Sequence, residues 1–192
     1  MMKWLYKNWY KSTIFIAIYL IIILPLYLLK SDYAVFLIWL QFAVYLLHQF
    51  EEYILPGGFV KFFNNKVLQS DKDNYPLDDR ASFWINIPII FIAFPLSAIL
   101  ASCIDISIGI WTAYFSIINA LSHVVMFFKH RYNPGFFVSL FLNIPVGTYT
   151  VFYFDDHGII STNAQLIGLM IGVLIQAAVM IYGFKVLKPK VK

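Results

Sequence analysis

The chain reads as a series of apolar runs, most of them near the ~20 residues that carry a helix across a bilayer, separated by short polar marks. The runs predict helices over 12–29, 33–55, 82–102, 105–130, 135–154 and 161–186. The marks are Lys30-Ser31-Asp32, the stretch from Phe59 to Arg80, Asp105, the Arg131-to-Gly135 turn and Asp155-Asp156-His157-Gly158. The expected fold is an all-α membrane protein, a bundle of about six transmembrane helices at ~20 residues each, forming one domain over 1–192. The segment 56–81 is the one sizeable loop. Within it Phe59, Val60, Phe62, Phe63, Val67 and Leu68 interleave with Lys61, Asn64, Asn65 and Lys66, the pattern of a short amphipathic helix lying at the interface.

Composition agrees. The sequence is 61% hydrophobic and 12% charged, against about half and about a quarter in soluble domains. The net charge of +4 raises nucleic acid as a partner. The basic residues flank the apolar runs, so they are read as topology signals, and no nucleic-acid partner is expected. Lys3, Lys7 and Lys11, the loop lysines with Arg80, Lys129 with Arg131, and Lys185 to Lys192 all fall on one side of a six-span chain, and only Lys30 on the other. That imbalance predicts a multi-pass protein of the cell membrane with both termini in the cytoplasm. Cys103 is the lone cysteine, so no intramolecular disulfide is possible. The first run is long for the core of a cleavable signal peptide, and none is expected.

Two stretches recur. Glu52 to Pro56-Gly57 parallels His130 to Pro134-Gly135, and Ser82-x-x-x-Asn86-x-Pro88 parallels Ser139-x-x-x-Asn143-x-Pro145. The spacing suggests a parallel repeat of two-helix units, spans two and three followed by spans four and five. In this register Glu52 corresponds to His130. Asn86 and Asn143 are expected mainly as helix caps, with a place in the lining of a site as the alternative.

The chemistry concentrates in two places. His48, Glu51 and Glu52 fall within about one helical turn at the end of the second run. Asn119, His123 and His130 lie on the fourth, within a sector of roughly 40° at 100° per residue. Ionisable groups in hydrocarbon are expensive and mark functional sites by default. Both clusters precede a Pro-Gly helix end, so both fall in the same half of the bundle. Imidazole and carboxylate donors suit zinc or iron. His48, Glu52 and His123 are the expected ligands of a divalent metal ion. Glu51 is the expected general base, Asn119 an orienting or oxyanion-type donor, and His130 a ligand or proton carrier. Gln41 and Tyr45 share the His48 stripe and are expected to pack between helices.

His48-x-x-Glu51-Glu52 in a small multi-span chain resembles the HXXEE family, which is named for this motif. Asn119-x-x-x-His123 is similar to the downstream asparagine and histidine of that family, and the Asn133-Pro134-Gly135 turn is consistent with its pattern. The resemblance covers His48 to Gly135. It implies an integral membrane protein with one shared site; the family's function is uncharacterised, with an enzymatic activity suggested for it, and the resemblance names no substrate.

The expected function is a membrane-embedded, metal-dependent, hydrolase-like enzyme acting on a lipidic or amphipathic substrate that enters from the lipid bilayer. The alternatives are a proton- or ion-coupled transporter and a scaffold whose polar cluster fixes helix register. The partner of the sixth span is left open by the sequence.

Overall fold

The computed structural model describes residues 1–191. Among them the chain is all helix, with no strand. Six helices are long and apolar enough to cross a membrane: α1 (Met2–Tyr27), α2 (Tyr33–Tyr53), α4 (Asp79–Cys103), α5 (Ile106–His130), α6 (Phe136–Asp156) and α7 (Thr162–Val191). The seventh, α3, is the short helix 59–68 in the loop between α2 and α4.

The spans agree with the hydropathy pattern, and the differences lie at their ends. α1 begins at Met2, ten residues before the apolar run, and α7 continues to Val191. Helix hydrogen bonding does not stop where hydrocarbon stops. Trp4, Leu5, Tyr6, Trp9 and Tyr10 alternate with lysines and carry the helix into the interface, where aromatic and basic side chains are favoured. We call the end of the bundle that holds the start of α1, the end of α7 and α3 the basic end.

α2 and α5 are the most buried spans, and the other four are largely exposed outside the bundle. This follows from their side chains. Lipid is as apolar as leucine, so polar residues gather on the inner helices and bond across to the outer ones. Gln41 on α2 donates to Thr150 on α6 (2.8 Å). Asn143 on α6 and Trp111 on α5 donate to Ser116 on α5 and Ser97 on α4, each at 2.9 Å. Tyr114 on α5 donates to Gln165 on α7 (2.8 Å). Each such bond is worth roughly 0.6 kcal/mol in a membrane. Gly172 lets α7 approach α5 closely, since a Cβ there would lie 2.9 Å from the Phe115 backbone nitrogen. Tyr45 is buried between α4 and α5, against Phe94 and Phe115, as a packing residue.

The recurring Ser-x-x-x-Asn-x-Pro motif lies inside α4 and α6, and neither asparagine caps a helix. Asn86 donates to the Tyr53 hydroxyl (3.1 Å) and back to the Ser82 carbonyl (2.9 Å). Asn143 ties α6 to α5 through Ser116. A wide π-helical turn overlaps each motif, at Ile87–Ala93 and Ser139–Asn143. Pro88 and Pro145 have no N–H to close the regular ladder, which relaxes into the wider turn.

α3 closes the basic end. Its buried Leu68 packs with Leu77 and with Leu187 of α7. The buried Asn64 side chain holds the following loop: it donates to the carbonyls of Asp73 (3.0 Å) and Leu77 (2.8 Å) and accepts from the Leu77 N–H (2.9 Å). Outside the membrane, Asp73 is held below the usual carboxylate range by a hydrogen bond from Asn65, with Lys61 adding to the effect.

Candidate metal centre

His48 and Glu52 lie one turn apart on the inner face of α2, and His123 faces them from α5. Glu52 Oε1 is 3.3 Å from His123 Nε2 and 3.7 Å from His48 Nε2. The imidazole rings stand edge to face, 4.6 Å between centroids. All three side chains are buried, at 1%, 4% and 3% exposure for His48, Glu52 and His123. One ligand atom from each lies within 4.8 Å of the others, so the group could hold a metal ion.

The surroundings fix which atoms face inward. His123 Nδ1 lies 3.1 Å from Asn133 Oδ1 and 3.2 Å from the Pro134 carbonyl. The Asn133 amide is oriented because its Nδ2 donates to the His123 carbonyl (2.9 Å). Both neighbours of Nδ1 are therefore acceptors, Nδ1 carries the proton, and in the neutral ring Nε2 presents a lone pair to Glu52. A lone pair facing a carboxylate oxygen at 3.3 Å calls for a proton or a cation between them. His48 Nε2 is buried with no hydrogen-bond partner among the described residues, and its Nδ1 sits 3.3 Å from Ser139 Oγ. Gln49 donates to Glu52 Oε2 (3.1 Å). Ligand histidines held through their second nitrogen by a carbonyl or an oxygen side chain are the usual pattern around a bound metal. Ligands ~2.1 Å from a tetrahedral ion lie ~3.4 Å from one another, and the two Glu52 contacts bracket that value. The residues fit one divalent ion with two imidazoles and one carboxylate.

The turn after α5 completes the arrangement. Arg131 takes a left-handed conformation at the helix end, and Asn133-Pro134-Gly135 swings back beneath His123. Gly135 (φ 94°) touches every ligand: a Cβ there would lie 2.9 Å from His123 Nδ1, 2.9 Å from His48 Cε1 and 3.0 Å from Glu52 Cγ.

More than half of the chain, residues 39–150, matches the model of a family described as "Protein of unknown function with HXXEE motif". The chain belongs to the HXXEE family. No match to a curated protein or to a solved structure was found.

The HXXEE motif divides its labour. His48 and Glu52 enter the centre, and Glu51 turns away. Its carboxylate accepts the backbone N–H groups of Phe137 (2.9 Å, Oε1) and Val138 (2.7 Å, Oε2), at the start of α6. Glu51 is buried, and it borders a groove on the outside of the bundle with Ile14, Leu55 and Pro56. The expectation of Glu51 as general base gives way to an anchoring role, because both oxygens are committed to the positive end of α6. His130 also lies apart, partly exposed and edge-on to Phe62. Seven residues beyond His123 it shares the stripe, but it is about 10 Å farther along the helix, past the turn that closes the centre. Its counterpart in the repeat, Glu52, is a member of the group, so the two halves are not equivalent.

Asn119 is one turn from His123 and lines a cavity of about 80 Å³ that also reaches Gln49, Glu52 and His123. Its Nδ2 donates to Gln176 of α7 (3.2 Å), so it presents an acceptor where the sequence suggested a donor. The remaining walls are mostly apolar, and α7 supplies Val179, Tyr182 and Leu187. The sixth span therefore packs against the site. Asn133, Ser139 and Gln49, which lie against the three ligands, are not legible in the sequence as site residues: Asn133 stands out only in the Asn-Pro-Gly turn, Ser139 only in the recurring Ser-x-x-x-Asn-x-Pro motif, and Gln49 carries no signal of its own.

Proposed function

We propose that this HXXEE protein is a membrane-embedded enzyme that binds one divalent ion, zinc or iron, through His48, Glu52 and His123, and uses it on a lipidic or amphipathic substrate in a hydrolytic reaction. The observation that carries this reading is the convergence of three buried donors whose other atoms are already held by Asn133, Pro134, Ser139 and Gln49. A carboxylate buried here without a cation would be costly in hydrocarbon. A bound ion offsets that cost and supplies Lewis-acid chemistry, polarising a carbonyl or phosphoryl oxygen. Glu52 lowers the net charge of the ion, and His48 and His123 hold it. Asn133 keeps the His123 tautomer, and Gln49 orients Glu52. Asn119 positions the polar end of a substrate in the adjoining cavity. α3 and α7 wall off that cavity at the basic end; we place this end in the cytoplasm of a cell-membrane protein, a reading supported by the excess of lysine and arginine there.

The test uses protein purified in nanodiscs, stripped with a chelator and reloaded with zinc or ferrous iron. Hydrolysis of fluorogenic long-chain esters or amides that requires the ion and is lost in His123→Ala supports the reading. A protein that takes up no ion and couples a proton gradient to solute uptake in liposomes overturns it in favour of transport.

A further inference from the structure

Two cavities meet at one pair of rings. The inner one, about 80 Å³, adjoins Glu52 and His123. A second, about 180 Å³, lies at the basic end between the start of α1, the start of α4 and α3. Tyr6, Tyr10 and Ser82 stand in its walls, and the exposed Gly58 and Asp79 mark where it meets the surface. Tyr53 and Phe59 line both cavities and so form the partition between them. Each cavity has room for several waters at ~10–15 Å³ apiece. The two rings are held differently. The Tyr53 hydroxyl is bonded to Ser82 (2.9 Å) and Asn86 (3.1 Å), and its ring packs on Trp9 (4.9 Å between centroids) and Tyr10 (5.4 Å). Phe59, the first residue of α3, has no polar side-chain atom to tie it. Its ring stands 6.0 Å from Tyr53, 5.6 Å from Phe63 and 5.7 Å from the imidazole of His123. It is half-buried, with a cavity on each side. A side chain that borders open space lacks the close packing that fixes a rotamer. A hydrolytic step at the centre consumes water, and the lipid around the spans supplies none.

We infer that Phe59 is a gate between the outer cavity and the metal cavity. With its ring in place the centre is cut off from the aqueous side. When the ring swings aside, water enters and a polar product leaves at the basic end. The use of this route in hydrolysis rests on the proposed enzyme reading; the gate itself follows from the two cavities and is tested without an ion.

The experiment uses the full chain in nanodiscs, with Cys103→Ser so that a single introduced thiol reports. Ile89→Cys places the thiol in the wall of the inner cavity on α4, and Val179→Cys, in a separate protein, places it on α7. Each is reacted, in buffer containing a chelator, with a small cationic methanethiosulfonate, a charged reagent for which hydrocarbon is no route. A ring that closes the passage most of the time leaves it open about a tenth of the time or less. Phe59→Ala is therefore expected to raise the reaction rate of both thiols about tenfold or more, and Phe59→Trp to lower it. Phe62→Ala removes a neighbouring ring of α3 that packs on His130 and Tyr132 instead, and it is expected to leave the rates unchanged. Equal rates in the parent and the Phe59→Ala protein, absence of reaction in both included, overturn the inference. An equal rise in Phe62→Ala also overturns it, since loosening of α3 would then be the cause. Metal content is measured on parallel samples without chelator: an absent ion with the rates shifted as expected counts against the enzyme reading alone, and a bound ion with unshifted rates counts against this inference alone.

Discussion

Asn133 grips His123 at two points. Its Oδ1 lies 3.1 Å from the ring Nδ1, and its Nδ2 donates to the backbone carbonyl of the same histidine at 2.9 Å. A turn residue ten positions later thus sets the tautomer and the direction of a side chain on α5. Asn133→Ala is expected to lower metal affinity by about 10–100-fold, the usual cost of losing such a partner. It should also destabilise the fold by about 1 kcal/mol by removing the side-chain hydrogen bond to the His123 carbonyl. Chelator competition and thermal unfolding measure the two effects. Unchanged affinity in a folded variant would contradict the role.

Gly135 offers a steric test. Gly135→Ala places a Cβ against His48, Glu52 and His123 together, at 2.9–3.0 Å. Gly158 also has a positive φ, 58°, and a Cβ at that position would have nothing within 4 Å of it. Gly158→Ala therefore measures the backbone cost alone, about 1 kcal/mol or somewhat more. Gly135→Ala is expected to cost more than this control and, unlike it, to abolish metal binding. Equal behaviour of the two variants would show that the close contact with the ligands is immaterial.

Glu51 separates anchoring from catalysis. Glu51→Ala leaves the Phe137 and Val138 N–H groups without their carboxylate and should cost about 1–3 kcal/mol, while metal stoichiometry is retained. Glu51→Gln keeps one acceptor oxygen and should fall between. A Glu51→Gln protein with parental stability and no activity would restore the general-base assignment.

These outcomes bear on what the sequence could reveal. His48, Glu52 and His123 stand out because helical periodicity puts polar groups on one face of otherwise apolar runs. The same periodicity misleads for Glu51. Neighbouring carboxylates differ by about 100° around a helix, and only the docking of α6 onto α2 shows that one of them meets backbone amides. His130 fails for a different reason: period reports direction and not depth, and its stripe leaves the bundle before reaching it. The Asn133-Pro134-Gly135 turn is legible, but its grip on His123 is not, because the reversal that brings it back begins at the left-handed Arg131, a residue type that gives no local signal. The cavity depends on α7, whose apolar sequence fits packing against any neighbour.

His130→Ala, by the same reasoning, should leave metal content and stability within about 0.5 kcal/mol of the parent, as for other substitutions outside a packed site. Loss of the ion in this variant would return His130 to the centre.

The most direct test of the account is X-ray absorption at the metal edge of purified protein, alongside elemental analysis of the parent, His48→Ala and His123→Ala. The account predicts one equivalent of zinc or iron, two imidazole ligands with metal–ligand distances near ~2.0–2.2 Å, and loss of the ion in both variants. Folded protein that binds no ion, or an ion that persists at full occupancy without both histidines, would contradict it.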